Sequence, residues 1–111
     1  MDSKKCQYKL KYLPLFYEDL NDKVTYIQEV LGNNEAANSL IDRIEDAINK
    51  RLPHAESFEK YKSNRERKYS YYRIYVGNYI IFYVVIIEDE CNKIMEVRRL
   101  LYNKQNEKSF L

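Results

Sequence analysis

The chain has 111 residues, 45% of them hydrophobic and 32% charged, with a formal net charge of +2. Those values describe one globular domain with room for a core; they exclude a disordered chain, and so small a charge does not by itself argue for nucleic-acid binding. No apolar run reaches the roughly 20 residues of a membrane helix, no apolar leader opens the chain, and two cysteines are too few for a disulfide framework, so a cytoplasmic protein with free thiols at Cys6 and Cys91 is expected.

Residues Gln7 to Leu13 alternate Tyr8, Leu10 and Tyr12 with Lys9 and Lys11, the pattern of a half-buried strand. Pro14 then stands where a first-turn proline would, and Phe16, Leu20, Val24, Ile27 and Leu31 recur at helical spacing until Gly32. Asn33 or Asn34 can cap a second helix with an apolar stripe of Ala37, Leu40, Ile41, Ile44, Ala47, Ile48 and Leu52, stopped by Pro53. So short a connection predicts an antiparallel helical hairpin, with acidic residues on its outer faces. From His54 to Lys68 there is no sustained period, which predicts a loop with room for a helical turn around Ser57 to Lys62; a loop of that length is either functional or mobile.

The stretch YRIYVGNYIIFY, from Tyr72 to Tyr83, is two β-type runs joined by Gly77-Asn78. Gly-Asn tolerates the positive φ of a tight turn, so a hairpin is predicted with Val76 facing Tyr79, Ile74 facing Ile81 and Tyr72 facing Tyr83. The opposite side then carries Tyr75 beside Ile80, Arg73 beside Phe82 and Tyr71 beside Val84, one arginine among aromatics. Glu88 to Asn92 reads as a turn and Lys93 to Leu100 as a last strand, with Met95 and Val97 on one face, followed by a polar tail from Leu101 to Leu111. The whole predicts a single α+β two-layer domain: an N-terminal strand, a helical hairpin, then a three-stranded antiparallel meander. The hairpin should cover the face of Ile74, Val76, Ile81, Met95 and Val97, leaving the other exposed. The place of the first strand in the sheet is left open.

Charge is segregated: Pro14 to Ile48 is mostly acidic, and Lys60 to Arg73 is mostly basic. His54 is the only histidine and Gly32 and Gly77 the only glycines, so a histidine-centred triad and a phosphate-binding glycine loop have no material, and no metal or cofactor is expected. What remains is Arg73, Arg98, Arg99, Tyr102 and Lys104, with a basic patch of Arg65, Arg67 and Lys68. Arginine forks and tyrosine rings suit a nucleic-acid backbone, a transition-state phosphate or an acidic peptide. The alternative is that these residues pair with Glu66, Glu96 and solvent.

The order of elements, with VGNYIIFYVV, a short acidic turn and then IMEVRRLLYNKQN, resembles the RelE/ParE superfamily of toxins from bacterial type II toxin–antitoxin modules. The resemblance covers Tyr8 to about Gln105. It implies a toxin neutralised by a cognate antitoxin in an oligomeric complex, with no membrane association. Its target would be either DNA gyrase, as in ParE-like members, or ribosome-bound messenger RNA, as in RelE-like interferases; an inert member would bind only its antitoxin. In the nuclease case the resemblance assigns Arg73, Arg98 or Arg99, Tyr102 and Lys104 to the site. Ile80 departs from the pattern, since cleaving relatives commonly carry an arginine there. The antitoxin would lie on the exposed sheet face, at Tyr71, Arg73, Tyr75, Ile80 and Phe82.

Overall fold

The computed structural model describes residues 7–61 and 68–103. Strand β1, Gln7–Tyr12, leads into helix α1, Pro14–Thr25, whose last turn widens into a π-helical turn over Tyr26–Val30. Gly32, at φ 61°, ends it, and the Asn33 side chain accepts from Ala36 N to cap α2, Asn34–Arg51. A 3-10 turn over Leu52–His54 follows. The remaining strands are β2, Tyr72–Val76, β3, Tyr79–Ile87, and β4, Asn92–Tyr102. The sheet order is β1-β4-β3-β2, with β1 parallel to β4 and the other pairs antiparallel. The fold is therefore the α+β two-layer arrangement expected, and the undecided first strand takes the edge beside the last.

The β2–β3 register is the one the Gly77-Asn78 turn dictates: Val76 with Tyr79, Ile74 with Ile81, Tyr72 with Tyr83. Gly77 sits at φ 57°. Along the helix-facing side, Ile74, Val76, Ile81, Tyr83, Met95 and Val97 join Phe16, Ala37, Leu40, Ile44 and Ile48 in one core. Tyr72 and Tyr83 stack with centroids 5.1 Å apart. The Tyr83 hydroxyl donates to Ala55 O and accepts from Arg51 Nη1, so a buried ring keeps its polar end satisfied.

Several expectations are corrected. The π turn inserts an extra residue per turn, and the apolar stripe drifts: Ile27 stays buried, whereas Leu31 is 59% exposed. No helical turn forms in the described part of Ser57 to Lys62; Lys60 instead bridges Tyr72 and Tyr61 N donates to Tyr71 O. Leu101 belongs to β4, 1% exposed, and not to a tail. Cys91 is disulfide-bonded rather than free; the other cysteine, Cys6, lies outside the described residues.

The largest correction concerns the outer face. Ile80, Phe82, Val84 and Leu101 are 0–2% exposed and form a second apolar cluster with Tyr71, against which Tyr61, Tyr69 and Ile86 pack. Tyr61 and Tyr71 both meet the Phe82 ring edge-on, at 5.8 and 6.1 Å. The chain between α2 and β2 thus covers with tyrosines a face that was expected to be open.

The turn supplies the first test. A Cβ at Gly77 would meet Arg43 Nη2 at 2.7 Å, the far end of a flexible side chain, so the backbone term dominates. Gly77→Ala should lower stability by about 1 kcal/mol, read as a lower urea midpoint, and Gly77→Asn should lose less, because asparagine tolerates positive φ.

Candidate functional site

Strand β4 carries the arginine pair, and a bulge aims it. Phe82 pairs with Arg99 but Tyr83 pairs with Val97, which leaves Arg98 as the extra residue. The bulge resets the alternation, so Val97 and Leu100 both point into the helix-facing core. Beyond Val97 the strand has lost its β1 neighbour, because β1 stops at Tyr12 and Leu13 N makes the last contact, to Val97 O. Asp19 of α1 takes over that edge. Its carboxylate accepts from Leu100 N at 3.0 Å and from Arg99 Nε and Nη2 at 2.8 and 2.9 Å. Asp19 was expected on the outer acidic face of the helix and is instead 7% exposed. The Asp19 hydrogen bonds, working against burial, hold the Arg99 pKa above its ordinary value.

Arg98 is held separately. Its Nε donates to Glu96 Oε1 at 2.8 Å, and its guanidinium lies 5.9 Å from the Tyr71 ring centroid. Burial opposes the Arg98 charge, but its hydrogen bonds to Tyr71 and Glu96 outweigh it and raise the pKa. Glu96 is itself 5% exposed and lies 3.8 Å from Lys11 Nζ on β1. Both late arginines are therefore neutralised by buried carboxylates.

Arg73 differs. Its Nε is buried with no hydrogen-bond partner, and its guanidinium lies 5.0 Å from the Tyr61 ring centroid and 5.8 Å from that of Tyr75. Tyr75 is 61% exposed. Tyr102 pairs with Tyr79 beside the β2–β3 turn and meets its ring edge-on at 5.6 Å. Lys68 is exposed, 5.5 Å from the Tyr69 ring. Arg65, Arg67 and Lys104 lie outside the described residues. The structure thus puts Arg73, Phe82 and Arg99 in register across β2, β3 and β4, with Tyr75 beside the covered Ile80, and directs Arg99 to Asp19.

Two features escaped the sequence. A groove of about 250 Å³ runs between the helices, lined by Tyr12, Phe16, Tyr17, Leu20, Ile41, Ile44, Glu45 and Ile48; the half-exposed Tyr17 on an otherwise apolar stripe was its only signal. At the opposite end Glu56 Oε1 accepts from the Tyr8 hydroxyl at 2.8 Å and from Lys93 Nζ at 2.7 Å. Nothing in the loop sequence marks Glu56 among its neighbouring charges.

A sheet of this topology, backed by a helical hairpin, is consistent with the RelE/ParE toxin fold. The family profile described as ParE toxin of type II toxin–antitoxin system, parDE, matches residues 10–107, and the chain belongs to that family. Among curated proteins, none matches the chain. No helix of the described residues is long and apolar enough to cross a membrane.

Two tests follow from the geometry. Asp19→Ala leaves the Leu100 amide and a largely buried Arg99 without their acceptor and should cost about 3 kcal/mol, read by chemical denaturation. The Glu56 cluster should act at both ends of the pH scale. Lys93 and Tyr8 hold the Glu56 pKa below its ordinary 4.5, so its contribution is present above pH 4.5 and lost as pH falls through the folded value. Burial, with help from Glu56, pushes Tyr8 from 10.0 up to about 12, so its contribution is present below pH 10.0 and lost as pH rises towards about 12. Unfolding midpoints measured against pH should flatten on the acid side in Glu56→Gln and on the alkaline side in Tyr8→Phe.

Proposed function

We propose that this toxin acts on DNA gyrase and that a cognate antitoxin holds it inactive. The observation that carries the choice of target is the state of the cations on the sheet. Arg99 is taken up by Asp19 and Arg98 by Glu96, and Ile80 is an apolar residue inside a closed cluster. A phosphate-cleaving centre needs cations aimed at developing charge in a site that substrate can enter. These two arginines are aimed at carboxylates of their own chain, which supports a toxin that works by binding.

One observation favours the RelE-like reading, a ribosome-dependent messenger RNA endoribonuclease. Arg73 has a buried Nε without a partner, and its guanidinium is flanked by rings on which a base could stack. In that reading Arg73 holds the scissile phosphate and Tyr102 or Lys104 assists proton transfer.

Induction without antitoxin, with DNA integrity and message integrity followed separately, tests both. The expected result is growth arrest with protein-linked DNA breaks and intact messages. Prompt cleavage of messages at fixed codon positions would transfer the function to the ribosome, and unimpaired growth would remove both readings.

A further inference from the structure

The π turn that ends the first helix does more than displace Leu31 from the core. Leu31 N reaches back five residues to Tyr26 O, and the widened turn brings Tyr26, Val30 and Leu31 round to one side. That side faces solvent: all three are more than half exposed, while Ile27 within the same turn is buried. Gly32 follows, and a Cβ added to it would meet open space. Burial foremost, with Tyr102 and Tyr26 adding to it, pushes the Tyr79 pKa up, so Tyr26 also neighbours the tyrosine pair at the β2–β3 turn. Scattered exposed apolar side chains are ordinary on a protein surface; gathered ones mark interaction sites.

The charge around this end has one sign. Every exposed charged residue from Asp22 to Asp42 is acidic, namely Asp22, Glu29, Glu35 and Asp42. The one cation in that stretch, Lys23, is partly buried, and burial holds its pKa below its ordinary value. An apolar centre with an acidic rim is complemented by an apolar recess in a basic surround. A second copy of the same end would set acid against acid. A surface that handles DNA is basic, because it must neutralise phosphates.

We infer that the toxin engages gyrase through this end of the helical hairpin, with Tyr26, Val30 and Leu31 entering an apolar recess on a basic, DNA-handling surface of the enzyme. This rests on the gyrase-directed reading and names the surface that contacts the target. Tyr26 is the anchor, since a tyrosine ring combines large buried area with few rotors.

Equilibrium binding of the full-length toxin to purified gyrase tests it, with binding to the cognate antitoxin and the urea midpoint followed in parallel. Tyr26→Ala, and Val30→Ser combined with Leu31→Ser, should each weaken gyrase binding by at least about tenfold and reduce protein-linked DNA breaks to match. Antitoxin affinity and the urea midpoint should stay unchanged, because none of the three side chains lies in the core. Glu29→Lys should slow association with gyrase and flatten its dependence on salt. Variants that bind gyrase as tightly as the unaltered toxin would overturn the inference and leave the gyrase reading standing. So would variants that lose the antitoxin and keep gyrase, which would assign this end to the antitoxin. An unaltered toxin that does not bind gyrase would overturn that reading and this one together.

Discussion

The Asp19 carboxylate is the joint on which the rest of the structure depends. A short β1 leaves the second half of β4 with an open edge, and an open edge is both unsatisfied and sticky. α1 begins immediately after β1 and runs along that edge. One of its side chains then accepts the strand's free amide together with the adjacent guanidinium. The helical layer is thereby fixed to the sheet at a defined height, which sets how Phe16 and the α2 stripe meet the core. The same contact occupies Nε and Nη2 of Arg99. One interaction decides packing and narrows function at once.

The twelve tyrosines take on distinct tasks once the sheet is seen to be covered on both sides. Tyr72 and Tyr83 stack within the helix-facing core, and Tyr83 links Arg51 of α2 to Ala55. Tyr61, Tyr69 and Tyr71 cover the outer face. Each carries a ring large enough to bury apolar surface and a hydroxyl that stays compatible with solvent, as a thin cover at the margin of a small domain requires. Ring edges against Phe82, the Tyr61 N to Tyr71 O bond and the Tyr71 contact with Arg98 join that cover to the sheet.

Much of this was legible in the sequence, because the signals were local and periodic. The hairpin register follows from Gly77-Asn78 and the alternation on either side, and the helix-facing core follows from that register. What escaped was decided by contacts distant in sequence. Asp19 looks like any acid on a helix until β4 is placed 80 residues later. The Phe82/Tyr83 bulge reverses the direction in which Arg98 and Arg99 would point, and no residue type announces a bulge of this kind. The closure of the outer face escaped because Tyr61, Tyr69 and Tyr71 lie in a segment without period. Arg73, by contrast, stands on the expected strand opposite the expected Phe82, and only its lack of a partner needed the fold.

Ile80 and the tyrosine cover are two aspects of one arrangement. Ile80 pairs with Tyr75 on one side and Leu101 on the other, 2% exposed, inside an apolar cluster. A guanidinium there would be desolvated without an acceptor, at a cost the cluster could not offset. An isoleucine lets the face close; an arginine would force it to stay open to water or substrate. Among the described residues the centre of this face is thus apolar and closed, and Arg73 stands at its border on the edge strand β2. A closed apolar face of this kind is what the proposed gyrase-directed reading relies on, since it lets the toxin work by binding without a cation at position 80.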